Sequence, residues 1–300
     1  MISVIANPAR NRLPNKPFKP YIQPAPKLLG KAKSMTIATG FCCSNGVILA
    51  ADTLITMYGG TGKSYESKIF EVNFDLNMFL TYTGDPDFAK EYVNDLSEQV
   101  RGKTPSQALT IAKELATKLY TDHYFTPQEE ARTYAAMLLT LQDSYSVSLY
   151  SITEKHFVRV QNKYVALGIG NEQAQAFFNP YFKVGMDLRQ CERIARYGIF
   201  KVKQFVQGCG GDTEVRQVTD ALGSQSIKTI STRKSNDIDN DFEYFDRQIG
   251  KLIIAYSDFS VNQKEFRKTS LKLLKNLEDR RKKTIDAVPK ALKEYFKTLD

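Results

Sequence analysis

The 300-residue chain has no tryptophan, only two histidines and only four cysteines. So little histidine removes much of the usual metal and acid–base chemistry. His123 and His156 form no HExxH pair and no recognisable triad, so metal hydrolysis and histidine-based serine chemistry lack their players. Cys42, Cys43, Cys191 and Cys209 show no CxxC spacing, which argues against a zinc site and for a reducing compartment. No apolar run approaches the ~18–20 residues of a membrane helix, and the opening MISVIANPARNRLPNK has no signal-peptide core. The expectation is a protein away from the membrane, with no metal and no cofactor.

The first 34 residues lack acidic side chains altogether, while carrying seven Lys/Arg and six of the eleven prolines. Proline at that density breaks helix and strand alike, so residues 1–34 read as an extended or disordered arm. The last forty residues carry +6. The total is +9, so 35–260 is left at −4. A nucleic-acid-binding core concentrates positive charge on its folded surface. Here the basicity belongs to the two ends, and no nucleic-acid partner is expected.

Between the ends, apolar alternation is strong. TIATGFCC and NGVILAAD read as two strands about a Ser44-Asn45-Gly46 turn. SKIFEV and LNMFLTYT continue as strands. Asp85-Pro86 and Thr104-Pro105 each open a helix, the second with Leu109, Ala112, Ala116 and Leu119 on its inner face. AAMLLTL, SVSLYSI, HFVRV and KYVALGI are strand-like. Helices are expected near 171–180 and 187–206, the latter through a capping box from Asp187 to Gln190. EVRQVTD and KLIIAY read as late strands. From about Gln263 a basic helical extension carries a stripe of Leu271, Leu274, Ile285, Val288, Leu292, Tyr295 and Leu299, bent at Pro289. It suits a helix pair packed on the body, or a docking helix for a partner subunit. The expected division is an arm at 1–34, a body at 35–260 and an extension at 261–300.

Two motifs fail. GTGKS at 60–64 resembles the end of a phosphate loop, but Met57 stands where that loop needs Gly and the following SYESKIFEV reads as strand. Asp237, Asp239 and Asp241 mimic a calcium loop, but Phe242 takes the glycine position and Gln248 the closing glutamate. A solvated acidic loop is the expectation there.

One set survives. Thr36 opens the first strand, Asp52 ends the second and Lys68 begins the third, at equal spacing. A threonine hydroxyl is a weak nucleophile until a base takes its proton. Were Thr36 the first residue, its own α-amino group, with a pKa near ~7.7–8.0, would serve. A Lys68 ammonium would favour the neutral amine, Asp52 would hold the lysine, and the Gly84 N–H could stabilise an oxyanion. Each residue also has an ordinary account as strand threonine, turn aspartate, surface lysine and turn glycine, and spacing alone does not choose.

The run TIATGFCCSNGVILAADTLIT, then SKIF, then LTYTGDPDFAKEYVNDL, resembles a proteasome β-type subunit and its bacterial relatives, which are N-terminal-nucleophile hydrolases. ALGIGNEQAQAFF and QGCGGDTEVRQVTD resemble later segments of that family, so the likeness spans roughly 36–220. It implies an α+β fold, a four-layer αββα sandwich carrying the basic C-terminal extension. It implies a threonine-type endopeptidase working through an acyl-enzyme, with Thr36 as nucleophile, Asp52 and Lys68 as its charged partners and Gly84 in the oxyanion hole. Peptide or unfolded-protein substrates, a homo-oligomeric ring and a cytoplasmic location follow from the resemblance. It leaves room for an ATP-dependent unfoldase, to which no residue of this chain points. The chain departs from the family at Ile169 and Cys209, where serines are usual, and at Val206, where an aspartate is usual. The α-type leader helix is not recognisable in residues 1–34. Two alternatives stay open: a catalytically inactive assembly subunit, and a small-molecule amidohydrolase of the same chemistry. The active form is expected to begin at Thr36, through trimming of an initiator Met35 or through self-cleavage.

Overall fold

A computed structural model describes residues 36–297, apart from 57–61, 124–134, 144, 155, 221–226, 231–232 and 258–261. The proline-rich arm, Met35 and Leu299 therefore lie outside the described residues. Those described all belong to one compact unit, Ala32–Asp300.

The Asn45-Gly46 turn joins β1 (Ile37–Cys43) to β2 (Gly46–Asp52). These pair with β10 (Tyr164–Gly168), β11 (Thr213–Thr219) and β12 (Ile227–Ile230) in the order β10-β1-β2-β11-β12. A short ribbon, β3 (Leu54–Thr56) with β4 (Lys63–Tyr65), follows β2. A second sheet runs β5 (Ile69–Asn73), β6 (Met78–Gly84), β7 (Ala135–Gln142), β8 (Val147–Thr153) and β9 (His156–Val160) in simple meander order. Every described pairing is antiparallel.

Side-chain alternation explains why these strands are apolar on both faces. Along β2, Val47 and Leu49 join Phe79, Leu138 and Leu149 of the second sheet in one apolar cluster. Ile48 and Ala50 point the other way, into a cluster with α3 (Asn171–Phe178) and α4 (Leu188–Phe205). Leu80 of β6 and Leu139 of β7 turn instead to α1 (Pro86–Gln99) and α2 (Pro105–His123). The helices begin where their caps predict. The Asp85 carboxylate accepts from the Asp87 and Phe88 N–H groups, and Asp187 and Gln190 form a reciprocal box.

Three expectations need correction. KLIIAY is not a strand, and the acidic residues around Asp239 do not form a loop. Both belong to α5 (Arg233–Ser257), a 25-residue helix. Inside this helix Asp239 binds Lys203 at 3.0 Å and Asp241 binds Arg280 at 2.5 Å. Isolated acids look like a loop in sequence, but cations on neighbouring helices supply their partners. The extension is α6 (Gln263–Lys297), helical through Pro289. Leu271 and Leu274 of the expected stripe are exposed, and Leu273 is the buried leucine of that turn. The GTGKS glycines fall partly outside the described residues, and its Lys63-Ser64 lie in strand β4.

Gly198 sits in the middle of α4, where glycine is a poor helix former. The Phe178 ring accounts for it, since a Cβ at residue 198 would overlap that ring. Phe178 is itself fully buried, edge-on to Phe41 at 4.9 Å and to Tyr164 at 5.1 Å. Gly198→Ala should therefore destabilise by about 1–3 kcal/mol through overpacking, despite alanine's better helix propensity. Denaturant midpoints of the two proteins check this, and an unchanged or raised midpoint would contradict it.

Candidate active site

Antiparallel pairing brings the start of β1, the end of β2, the end of β10 and the start of β11 to one edge. The register sets Ala38 against Ala51, Ile37 against Gly168, and Asp52 against Thr213. In the second sheet the start of β5 and the end of β6 share an edge, with Ile69 against Thr81. Ser67 ties the two edges together, donating to the Glu214 carboxylate at 2.9 Å, and the Lys68 N–H adds a bond to Glu214 at 3.2 Å. The segments carrying Thr36, Asp52 and Lys68 thereby meet.

All three side chains are fully buried. The Thr36 hydroxyl donates to Asp52 Oδ1 at 2.5 Å and accepts a hydrogen bond from Lys68 Nζ. Lys68 Nζ also donates to Asp52 Oδ1 at 2.7 Å and to the Leu54 carbonyl at 2.6 Å. An ammonium has three N–H donors, so Lys68 is fully satisfied. Asp52 takes four donors. Its Oδ1 also accepts from the Ile37 N–H at 3.2 Å, and its Oδ2 accepts from the Gly210 N–H at 2.8 Å. A buried carboxylate needs such partners to replace the water it has lost. Burial pulls the Lys68 ammonium below the usual lysine range, and Asp52 offsets part of that pull.

Gly84 closes β6 at a left-handed φ of 105° and pairs with Ala135. Among the described residues it makes no hydrogen bond to Thr36, Asp52 or Lys68. It is near them all the same. Gly168, paired with Ile37, has φ 95°, and a Cβ there would overlap the Thr36 carbonyl and come within 3.0 Å of the Thr83 methyl. Thr83 is the residue before Gly84.

Sequence reasoning missed the backbone groups, which have no side chain to advertise them. The Leu54 carbonyl and the Gly210 N–H hold Lys68 and Asp52, and only the double glycine after Cys209 hints at the second. It missed Ser67 and Glu214 too.

A proteasome subunit family model matches residues 33–215. The chain belongs to that family. Among solved structures, it resembles Anbu, an ancestral β-subunit, from Yersinia bercovieri, at TM-score 0.61 and 14% identity. The match covers 72% of this chain and 97% of that one. The Anbu (Gly-1) mutant from Hyphomicrobium sp. strain MC1 is similar at TM-score 0.59 and 14% identity, with the same coverages. At such identity the likeness is one of fold. No curated protein sequence matches the chain.

Within this proteasome-type subunit the three departures cluster near the same edge. Ile169, directly after Gly168, is 45% exposed, so no polar group stands there. Val206 caps the end of α4 and packs against its apolar cluster. Cys209 is buried, and burial together with Asp52 pushes its thiol up to about 12, against a smaller opposing pull from Lys68. It is therefore a neutral thiol at physiological pH and no substitute nucleophile.

Removing one partner of a buried ion pair typically costs about 3–5 kcal/mol. Asp52→Ala should fall in that range at about pH 7. The sign of its pH dependence follows from Lys68, whose folded-state pKa is already depressed and drops further without Asp52. The folded variant has then lost a proton that the folded wild type still holds between the two folded-state pKa values, so the penalty shrinks as pH rises through that interval and is constant above it. Denaturant titrations at about pH 7 and about pH 9.5 measure this. An equal loss at both would mean that removing Asp52 does not move the Lys68 titration within this range.

Proposed function

We propose that this proteasome-type subunit is a threonine-type endopeptidase. The observation that carries the reading is the closed hydrogen-bond triangle of Thr36, Asp52 and Lys68, buried where the strand ends of both sheets converge. Two sheets facing one another, each with a helix pair on its far side, support the four-layer αββα sandwich of N-terminal-nucleophile hydrolases.

In the working form the chain begins at Thr36. The freed α-amino group, with an ordinary pKa near ~7.7–8.0, takes the hydroxyl proton as Oγ attacks the scissile carbonyl. The Lys68 ammonium beside Oγ favours the neutral amine and stabilises the developing negative charge, and Asp52 holds that ammonium in place. The Gly84 N–H receives the oxyanion. The amine returns the proton to the leaving peptide nitrogen, leaving an ester on Thr36, and water then hydrolyses the ester. Substrates are peptides or unfolded protein chains, and the subunit works in a homo-oligomeric ring in the cytoplasm. Domain limits of 1–34, 35–260 and 261–300 are kept for the 300-residue chain, with α5 at the end of the body and α6 as the extension, and the working form lacks the first.

A second reading, a catalytically silent assembly subunit, is favoured by full burial of Thr36 and by the apolar Ile169 and Val206. N-terminal sequencing and labelling with a probe that acylates N-terminal threonine separate the two. The peptidase reading expects a chain starting at Thr36 that loses its label in Lys68→Ala, with activity down at least a hundredfold. A chain that retains Met35, or a labelling rate unchanged in folded Lys68→Ala, defeats it. The labelling rate should also be bell-shaped in pH. It should rise as the amine loses its proton and fall as Lys68 does, the upper limb lying below the usual lysine range because burial depresses that group. A rate still climbing through that range would remove the Lys68 cation from the mechanism.

A further inference from the structure

The segment after α4 holds Asp52 from below. Its Gly210 N–H donates to Asp52 Oδ2 at 2.8 Å, and its Gly210 and Asp212 carbonyls accept from the Leu54 and Thr53 N–H groups at 3.1 Å each. The Thr53 hydroxyl accepts from the Asp212 N–H at 2.9 Å. The segment is therefore stitched to residues 52–54, which supply both the carboxylate and the Leu54 carbonyl that bind Lys68. On its other side two cations of α4 hold it, and Arg196 donates there to the Thr213 carbonyl alone, at 3.4 Å. Lys203, near the end of α4, donates to the Gly211 carbonyl at 3.1 Å and to the Thr213 hydroxyl at 3.0 Å. Its third donor goes to Asp239 Oδ2 of α5 at 3.0 Å.

Asp239 lies outside the 33–215 segment that the family model matches. Its other carboxylate oxygen is buried and, among the described residues, has no hydrogen-bond partner. The Asp239 contact is one of several that seat α5 on α4. Asp246 binds Lys201 at 2.7 Å and the Tyr197 hydroxyl at 2.8 Å, and Phe242 lies against Tyr197 and Phe200. Those anchors touch only helix. At Lys203 the same ammonium bonds both α5 and the segment holding Asp52.

We propose that Lys203, set by Asp239, is a positioning residue for the Thr36–Asp52–Lys68 group, so that helix α5 is a working part of the site. The proposal rests on the peptidase reading for its catalytic consequence, though not for its structural one. An ammonium with three fixed acceptors holds the Gly210–Thr213 segment at one distance from residues 52–54. Without it the segment keeps its bonds to 52–54 and the Arg196 bond at Thr213 but loses its restraint at Gly211, and Asp52 samples a wider range of positions. Small misplacement of a reacting constellation costs up to about a hundredfold in rate.

Three full-length variants test this: Lys203→Met, Asp239→Asn and Lys203→Arg. Hydrogen exchange of peptides spanning 207–213 is read first. Faster exchange in Lys203→Met and Asp239→Asn, reversed toward wild type in Lys203→Arg, is expected. Thermal midpoints verify that each variant is folded, and Asp239→Asn serves if Lys203→Met is not. Unchanged exchange in folded Asp239→Asn overturns the proposal, whether or not the protein is a peptidase. Threonine labelling is read second. A fall of about ten- to a hundredfold in the first two variants, restored in Lys203→Arg, is expected. Faster exchange with an undiminished labelling rate overturns the positioning role and leaves a structural clamp. No labelling in the wild type overturns the peptidase reading instead, and exchange alone then decides whether α5 restrains the segment.

Discussion

A buried ammonium must be given its three acceptors, and much of the candidate site follows from satisfying Lys68. Its bonds to Thr36, Asp52 and Leu54 reach two segments far from it in sequence, the start of β1 and residues 52–54. Asp52, placed in the same apolar surroundings, needs donors of its own, and the Ile37 and Gly210 N–H groups supply them. One charge thus constrains β1, β2, β5 and the turn before β11 together. Apolar packing alone would allow the two sheets to slide or rotate over each other with little loss. Fixed donors and acceptors at one edge penalise such movement, because a displaced partner is left unpaired and dry.

Glycine serves the same end. At Gly168 the backbone of β10 runs so close to Thr36 that a side chain would strike its carbonyl. At Gly40 a Cβ would sit 2.8 Å from Leu149, so the missing side chain lets β1 approach the facing sheet. Thr36 is thereby seated between a strand of its own sheet and the end of β6, where Thr83 and Gly84 lie.

Apart from the short β3–β4 ribbon, the strand and helix order from β1 to β11 was legible because its signals are local. Asn45-Gly46 turns a hairpin, Asp85 and Asp187 cap helices, and inner strands are apolar on both faces. The triangle was legible only because three side chains carry recognisable chemistry at spacings that the proteasome family shares. What the sequence concealed is carried by groups without a distinctive side chain, or by partners far along the chain. Leu54 acts through its carbonyl and Gly210 through its N–H. The Lys203–Asp239 and Arg280–Asp241 pairs join different helices, so neither residue of a pair foretells the other. For the same reason α5 read as an acidic loop followed by a strand. Its aspartates disfavour a helix interior in isolation. The cations they meet on α4 and α6 restore the balance.

The identity of the base decides what the triangle can do. Lys68 touches the Thr36 hydroxyl and could in principle take its proton, but only as a neutral amine. Burial pushes it in that direction, while Asp52 at 2.7 Å and the Leu54 carbonyl at 2.6 Å both favour the cation. An α-amino group begins about two to three units more acidic than lysine. Competition for a proton between the two therefore leaves it on Lys68 and frees the amine. The buried thiol nearby offers no third choice, since Cys209 is pushed up to about 12. With Thr36 inside the chain the triangle holds a nucleophile, a cation and a counter-ion, but no base. On the peptidase reading, exposing the Thr36 amine supplies the missing group, so that a single backbone cleavage would separate a structural polar cluster from a catalytic one.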